Sequence, residues 1–220
     1  MKKTLFTLLV LLLPTVISAQ HFHLKLGGGI ASHIKGSQSI GAFKIGIGYE
    51  YELSQKWTIL SSLVAYGKGW KEKDQVVNYY DDNHELVYND DGSIRTGIKN
   101  RTTTANYLEI PVVFNYYLRT GESRYVVFSA GPYIACGISG KQKTKGDTEE
   151  YMGRRLYYES KTFKEHGVHR FDTGLTAGLG YQFPAHITLG VEADFGLTKF
   201  NTEGDRNLTV LVALSYQFGL

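Results

Sequence analysis

The sequence predicts an all-β chain folded as an eight-stranded, antiparallel, up-and-down transmembrane β-barrel with short periplasmic turns and two long extracellular loops. Three observations carry that prediction. Hydrophobic residues recur at every second position through much of the chain, the mark of strands with two chemically different faces. The links between those strands alternate between long and short. Beyond residue 20 no apolar run reaches the roughly eighteen residues that a membrane-spanning helix needs.

The first element is an export signal. Lys2 and Lys3 precede an almost unbroken apolar stretch over residues 5–13, and Ile17-Ser18-Ala19 ends in a small residue suited to signal peptidase. Cleavage is expected after Ala19, which makes residues 1–19 the signal peptide and residues 20–220 the barrel domain. The 220 residues include 25 Gly, 16 Tyr and 11 Phe but only 4 Pro, a balance that favours sheet over helical bundle or disorder. A formal net charge of +3 implies no basic stripe, so nucleic acid is not an expected partner. One Cys excludes an intrachain disulfide.

Alternation is clearest over 186–197. There Ile187, Leu189, Val191, Ala193, Phe195 and Leu197 share one face, and His186, Thr188, Gly190, Glu192, Asp194 and Gly196 share the other. It recurs over 208–218 and 170–183, and the same template upstream gives 22–31, 40–53, 56–67, 105–118 and 124–138. Each is near or above the ~9–11 residues that a tilted strand needs to cross a bilayer. Pro111 and Pro132 fall inside strands, where a missing ladder donor suggests bulges. Long links cover 32–39, 68–104, 139–169 and 198–207, and short ones cover 54–55, 119–123 and 184–185. Antiparallel succession then places every long loop at one end. Within the second long link, Asn89-Asp90-Asp91-Gly92-Ser93 reads as a hairpin tip between 85–88 and 94–98.

Sidedness follows from the residues that break the alternation into zones. Phe22, Tyr49, Tyr51, Tyr116, Tyr181, Phe183, Tyr216 and Phe218 collect on the apolar face at the short-turn ends, with Trp57 near them, as a periplasmic-side aromatic girdle would. Phe171 and Phe195 form a sparser set toward the long loops. The polar face interleaves glycine with charge, and its expected interior cluster is Lys25, Lys44, Glu50, Glu109, Arg170, Asp172, Glu192 and Asp194. An eight-stranded barrel has just enough interior for side chains to fill. Glu109, Asp172, Glu192 and Asp194 are therefore expected to pair with Lys25, Lys44 and Arg170 in a packed plug. In a soluble lipocalin-like barrel, the alternative, the charges would face solvent and the aromatics would line a ligand cup.

Tyr107-Leu108-Glu109-Ile110-Pro111-Val112-Val113, followed by Asn115-Tyr116-Tyr117, resembles the YLEIPL-type strand of the PorT-like outer-membrane β-barrel family of Bacteroidetes. Ala130-Gly131-Pro132-Tyr133 is similar to its following strand, and Gly178-Leu179-Gly180-Tyr181-Gln182-Phe183 to its late Gly-aromatic strand. The resemblance spans essentially the whole mature chain. It implies an eight-stranded barrel in the bacterial outer membrane, and PorT itself is associated with a protein-secretion apparatus. The chain departs from many outer-membrane barrels in ending Phe218-Gly219-Leu220 where those have a terminal aromatic.

Chemistry is sparse. His84, Glu165, His166 and His169 fall in the long loops with Ser139 and Ser160, but no recognisable nucleophile–base pairing links them. His21-x-His23 and His166-x-x-His169 lack a convincing third ligand, and 89–93 lacks the acidic series of a calcium loop, so no metal is expected. Gly46-x-Gly48 and Gly178-x-Gly180 precede no helix, and no cofactor is expected. Cys136 has the parity of Ile134 and Ile138, which makes it a lipid-facing free thiol. Tyr79-Tyr80-Asp81-Asp82 and Tyr157-Tyr158 suit either binding of a surface or simple cover of the barrel mouth. The expectation is a non-enzymatic barrel contacting outer-membrane lipid, whose loops bind an extracellular protein or glycan or meet secretion-apparatus proteins. A lipid-modifying enzyme and a small pore are its competitors.

Overall fold

Period-two alternation resolves into eight long strands: β1 (Gln20–His33), β2 (Ile40–Glu52), β3 (Trp57–Lys71), β4 (Thr96–Gly121), β5 (Arg124–Ser139), β6 (Phe171–Gln182), β7 (Ile187–Lys199) and β8 (Arg206–Gly219). The computed structural model describes residues 20–34, 37–146, 150–151, 154–155, 159–201 and 205–219, so the expected signal peptide and Tyr157-Tyr158 lie outside the described residues. Each strand pairs antiparallel with the next, and β1 pairs with β8, which closes the ring. Closure satisfies the backbone polar groups that an open edge would expose to hydrocarbon.

The two faces differ as hydrocarbon and lumen demand. Leu189 and Val191 on the convex wall are 47% and 53% exposed, whereas Glu109 and Asp194 inside are 0% and 2% exposed. The exposed apolar side chains continue around all eight strands, far beyond the few hundred Å² of apolar patch that a soluble monomer shows. A lipocalin-like inversion, with acids outside, is thereby corrected.

Several boundaries differ from the sequence expectation. β3 runs four residues past Gly67, and β4 begins at Thr96 instead of 105. β4 thus leaves the ring as a projecting ribbon that pairs with Gln75–Asn78 on one side and Lys141–Gly146 on the other, and Lys141–Gly146 pairs in turn with Glu159–Lys161. Asn89–Gly92 forms the expected tip, closed by Tyr88 bridging Ile94. Pro111 and Pro132 produce no bulge. The β4–β5 ladder is interrupted after Pro111↔Tyr133 and resumes unshifted at Phe114↔Ala130, because only the donor is lost. His186 is not the first residue of a strand: it sits in the β6–β7 turn at φ 58°, its N–H bonded to the Phe183 carbonyl.

Candidate functional site

The lumen is filled in layers, each built from inward positions two residues apart. At the centre Lys44 Nζ lies 2.5 Å from Glu192 Oε1, 2.9 Å from Asp194 Oδ2 and 3.3 Å from Glu109 Oε1. Lys25 Nζ takes the other Glu192 oxygen at 2.5 Å. Tyr66 donates its hydroxyl to Asp194 at 2.7 Å, and the Lys44 ammonium stands 4.4 Å from the centroid of the same ring. An isolated ion here would cost several kcal/mol. Shared partners make the arrangement tolerable.

One layer outward, Lys68 Nζ lies 2.6 Å from Asp172 Oδ2. Asp172 also accepts from Thr198 at 2.7 Å, Asn207 at 3.0 Å and Tyr133 at 3.5 Å. Lys68 is wrapped by the rings of Tyr66, Tyr107 and Tyr133, at 5.0, 4.6 and 5.2 Å from their centroids. Toward the periplasmic end, Glu50 accepts from Thr58, from Asn115 at 2.9 Å and from Tyr117 at 2.8 Å, and meets His23 Nε2 at 2.5 Å. Between the Glu192 and Glu50 layers lies a cavity of about 70 Å³, lined by His23, Lys25, Asn115, Tyr117, Ser129 and Glu192 among others. It holds a few waters at most.

The outer mouth is closed by aromatics. His33 stacks on Trp70 at 3.6 Å, Phe200 meets Trp70 edge-on at 4.4 Å, and Phe163 from the short 3₁₀ helix Thr162–Lys164 packs on Tyr107 at 5.5 Å. This cap, the charged layers and the Glu50 floor follow one another along the lumen, which is largely filled by side chains of the described residues.

Of the eight residues named for the interior cluster, Lys25, Lys44, Glu50, Glu109, Asp172, Glu192 and Asp194 face the lumen. Arg170 does not join them, because β6 begins one residue later. Its guanidinium turns to the rim, donates to the Gly137 and Phe163 carbonyls at 3.1 and 3.3 Å, and stands 5.5 Å from the Phe163 centroid, which fastens the cap. Lys68 takes the place at Asp172. Sequence reasoning missed Lys68 and the three lumen tyrosines. For Lys68 and Tyr66 the even spacing of Val64, Tyr66, Lys68 and Trp70 was the available signal, obscured by small outward residues at 61, 65, 67 and 69.

The girdle residues all lie on the convex side. Phe22, Tyr51, Phe183, Tyr216 and Phe218 are exposed, and Tyr49, Tyr116 and Tyr181 are half-buried against neighbours. Phe22–Tyr49, Trp57–Tyr116 and Tyr181–Phe183 form ring pairs at 5.6, 4.9 and 5.0 Å. Phe171 and Phe195 are exposed on the same side toward the other end, and Cys136 faces outward.

The loop residues considered for catalysis are employed separately. Ser139 accepts from Asn106 on the convex wall, His84 sits in a turn at φ 67°, and the His169 N–H bonds the Phe200 carbonyl. His21 lies 3.4 Å from Glu52, apart from the His23–Glu50 contact. Among the described residues no three His, Cys, Asp or Glu side chains are grouped to hold a metal ion.

A family model for an outer membrane protein beta-barrel domain matches residues 18–201. Among solved structures the chain is similar to Neisserial surface protein A, at 11% identity over 91% of this chain and 98% of that one, TM-score 0.48. It is similar to Ail, the attachment invasion locus protein of Yersinia pestis, solved with the heparin analogue sucrose octasulfate, at 12% identity over 92% and 100% of the two chains, TM-score 0.39. It is also similar to the outer membrane enzyme PagL, at 10% identity over 88% and 98%, TM-score 0.42. These likenesses concern the fold alone. No curated protein matches the chain.

Proposed function

Because the chain belongs to the outer membrane protein beta-barrel domain family, we propose that it is a non-enzymatic barrel whose extracellular sheet binds a protein partner. The observation that carries this reading is the projecting ribbon of β4. It holds Val76, Tyr88, Ile94 and Ile98 at 72%, 58%, 40% and 45% exposure beyond the barrel mouth, on a hydrogen-bonded scaffold rather than in loose loops. Exposed apolar and tyrosine side chains on a rigid support lose little conformational entropy on docking, which suits them to a protein surface. The plugged lumen argues against a pore. Within the family, the 107–113 segment supports a place in the PorT-like branch, and with it a role beside secretion-apparatus proteins.

The test is site-specific photo-crosslinking in intact cells. A crosslinker at Tyr88 or Ile94 should give a discrete protein adduct that is absent when the crosslinker is placed at Phe218. No adduct at either loop position, together with altered lipid A in a deletion strain, would turn the reading toward a lipid-modifying enzyme.

A further inference from the structure

The convex wall changes chemistry abruptly at the outer end of β4 and β5. Leu108, Ile134 and Ile138 face outward, exposed and apolar. The next outward pair is polar: Asn106 donates its side-chain amide to Ser139 Oγ at 3.0 Å. One step further, Thr104 Oγ1 accepts from the Lys141 N–H and donates to the Lys141 carbonyl, both at 3.1 Å. The hydrocarbon boundary on this side lies between Leu108 and Asn106.

Immediately above that boundary the same outward face is basic. On Lys141–Gly146, Gln142 and Thr144 are buried inward, so Lys141, Lys143 and Lys145 point outward and are exposed. The register extends the row across neighbouring strands. Lys71 sits beside Thr102, Thr102 beside Lys143, Lys143 beside Glu159, and Lys141 beside Lys161. Five lysines therefore share one face, with two carboxylates among them in the described residues. Glu159 lies 2.5 Å from Lys141 and 3.3 Å from Lys143, and Asp74 accepts from Asn100 at 3.0 Å.

Position selects the occupant. Lys141 is three residues beyond Ile138, roughly 10 Å along the strand and less along the membrane normal once strand tilt is included. That is about the depth of a bilayer's phosphate layer. Lys143 and Lys145 stand higher, and their flexible stems let the ammonium groups bend back. The face continues the lipid-covered wall sideways, so molecules of the membrane reach it laterally, whereas a protein partner reaches the ribbon from above.

We propose that this lysine shelf is a docking site for the phosphate groups of anionic outer-leaflet lipid. The shelf holds a phosphorylated headgroup against the β3–β5 side while the acyl chains lie on Leu108, Ile134 and Ile138 below. It lies on the membrane-proximal part of the same ribbon whose outer part carries Val76 and Ile98, and it rests on the outer-membrane reading with the long links outside.

The experiment titrates the purified full chain in detergent with lipid A carrying two phosphates, dephosphorylated lipid A and inorganic phosphate, read by native mass spectrometry. Wild type should prefer the phosphorylated lipid. Lys141→Gln/Lys143→Gln/Lys145→Gln should lose roughly 100-fold in affinity, about fivefold per lysine. The corresponding Lys→Arg variant should retain binding. Lys56→Gln/Arg119→Gln/Arg124→Gln, which removes equal charge near the short turns, should bind as wild type does. Equal affinity of the shelf variant and wild type, equal loss in both glutamine variants, or equal binding of the dephosphorylated lipid overturns the proposal, as does inorganic phosphate binding as tightly as the lipid. Heat-modifiable gel mobility, scored on every variant, keeps these results apart from failure of the barrel reading, which would show as its absence in wild type.

Discussion

Lys68 Nζ lies 2.6 Å from Asp172 Oδ2 and so ties β3 to β6 across the lumen, between strands that are not neighbours in the ring. Their side chains are 1% and 4% exposed. Removing one partner leaves a charge buried without its counterion, which costs about 3–5 kcal/mol. Lys68→Met should destabilise the barrel by about that amount. Lys68→Met/Asp172→Asn should recover part of the loss, since neither charge then remains. Urea unfolding in micelles, followed by tryptophan fluorescence, measures both alongside Asp172→Asn, and a double variant whose loss equals the sum of the two single losses would show the pair to be uncoupled.

The aromatic cap and the charged layers act in series. Trp70→Ala removes the ring on which His33 stacks and Phe200 leans, and should cost about 3–5 kcal/mol. Wild type and Trp70→Ala alike should show no ion conductance in planar bilayers, because Lys44, Lys68 and the three tyrosines still fill the lumen beneath. Conductance appearing in Trp70→Ala would place the whole seal in the cap.

Cys136 is the single cysteine of the chain and is exposed on the convex wall, opposite Leu108 and Phe171 in the ladders. In vesicles a membrane-soluble maleimide should label it readily and a charged maleimide slowly. Unfolding in denaturant should abolish the difference. Rapid labelling by the charged reagent in intact vesicles would contradict a lipid-facing thiol.

At the ribbon's tip, Asp91 accepts from the Ser93 hydroxyl at 2.5 Å and from the Ser93 N–H at 2.9 Å. These bonds, the hydroxyl first, lower its carboxyl below the ordinary 3.8. A lowered folded-state value contributes stability above the unfolded value, and that contribution is lost as pH falls through the folded one. Carboxyl chemical shifts should therefore show Asp91 titrating below 3.8, and Ser93→Ala should move it back up. Because the group is fully exposed, the tip alone should respond, with barrel unfolding unchanged.

The membrane-crossing parts of the strands were legible because hydrocarbon and lumen impose opposite demands on adjacent residues, and β7 satisfies them at almost every position from Leu189 to Leu197. β3 was legible only to Gly67, for a local reason. Phe43 lies over Gly67 as its paired neighbour, so close that a Cβ there would fall 2.1 Å from the Phe43 ring. The apolar cover of β3 at that point comes from another strand, and its own alternation disappears just where Lys68 follows. Arg170 failed for the opposite reason: its parity matched Asp172, but parity holds only while the chain stays extended, and β6 starts at Phe171. The partners within the plug depend on which strands face each other across the ring, and no spacing along one strand encodes that.

The 26 residues of β4 run from Thr96 to Gly121 as one element, from the outward ribbon to the inner turn. A pull on the ribbon is therefore transmitted along β4 into its ladders with β3 and β5, where the rows of backbone bonds run along the direction of load and share it instead of opening one at a time.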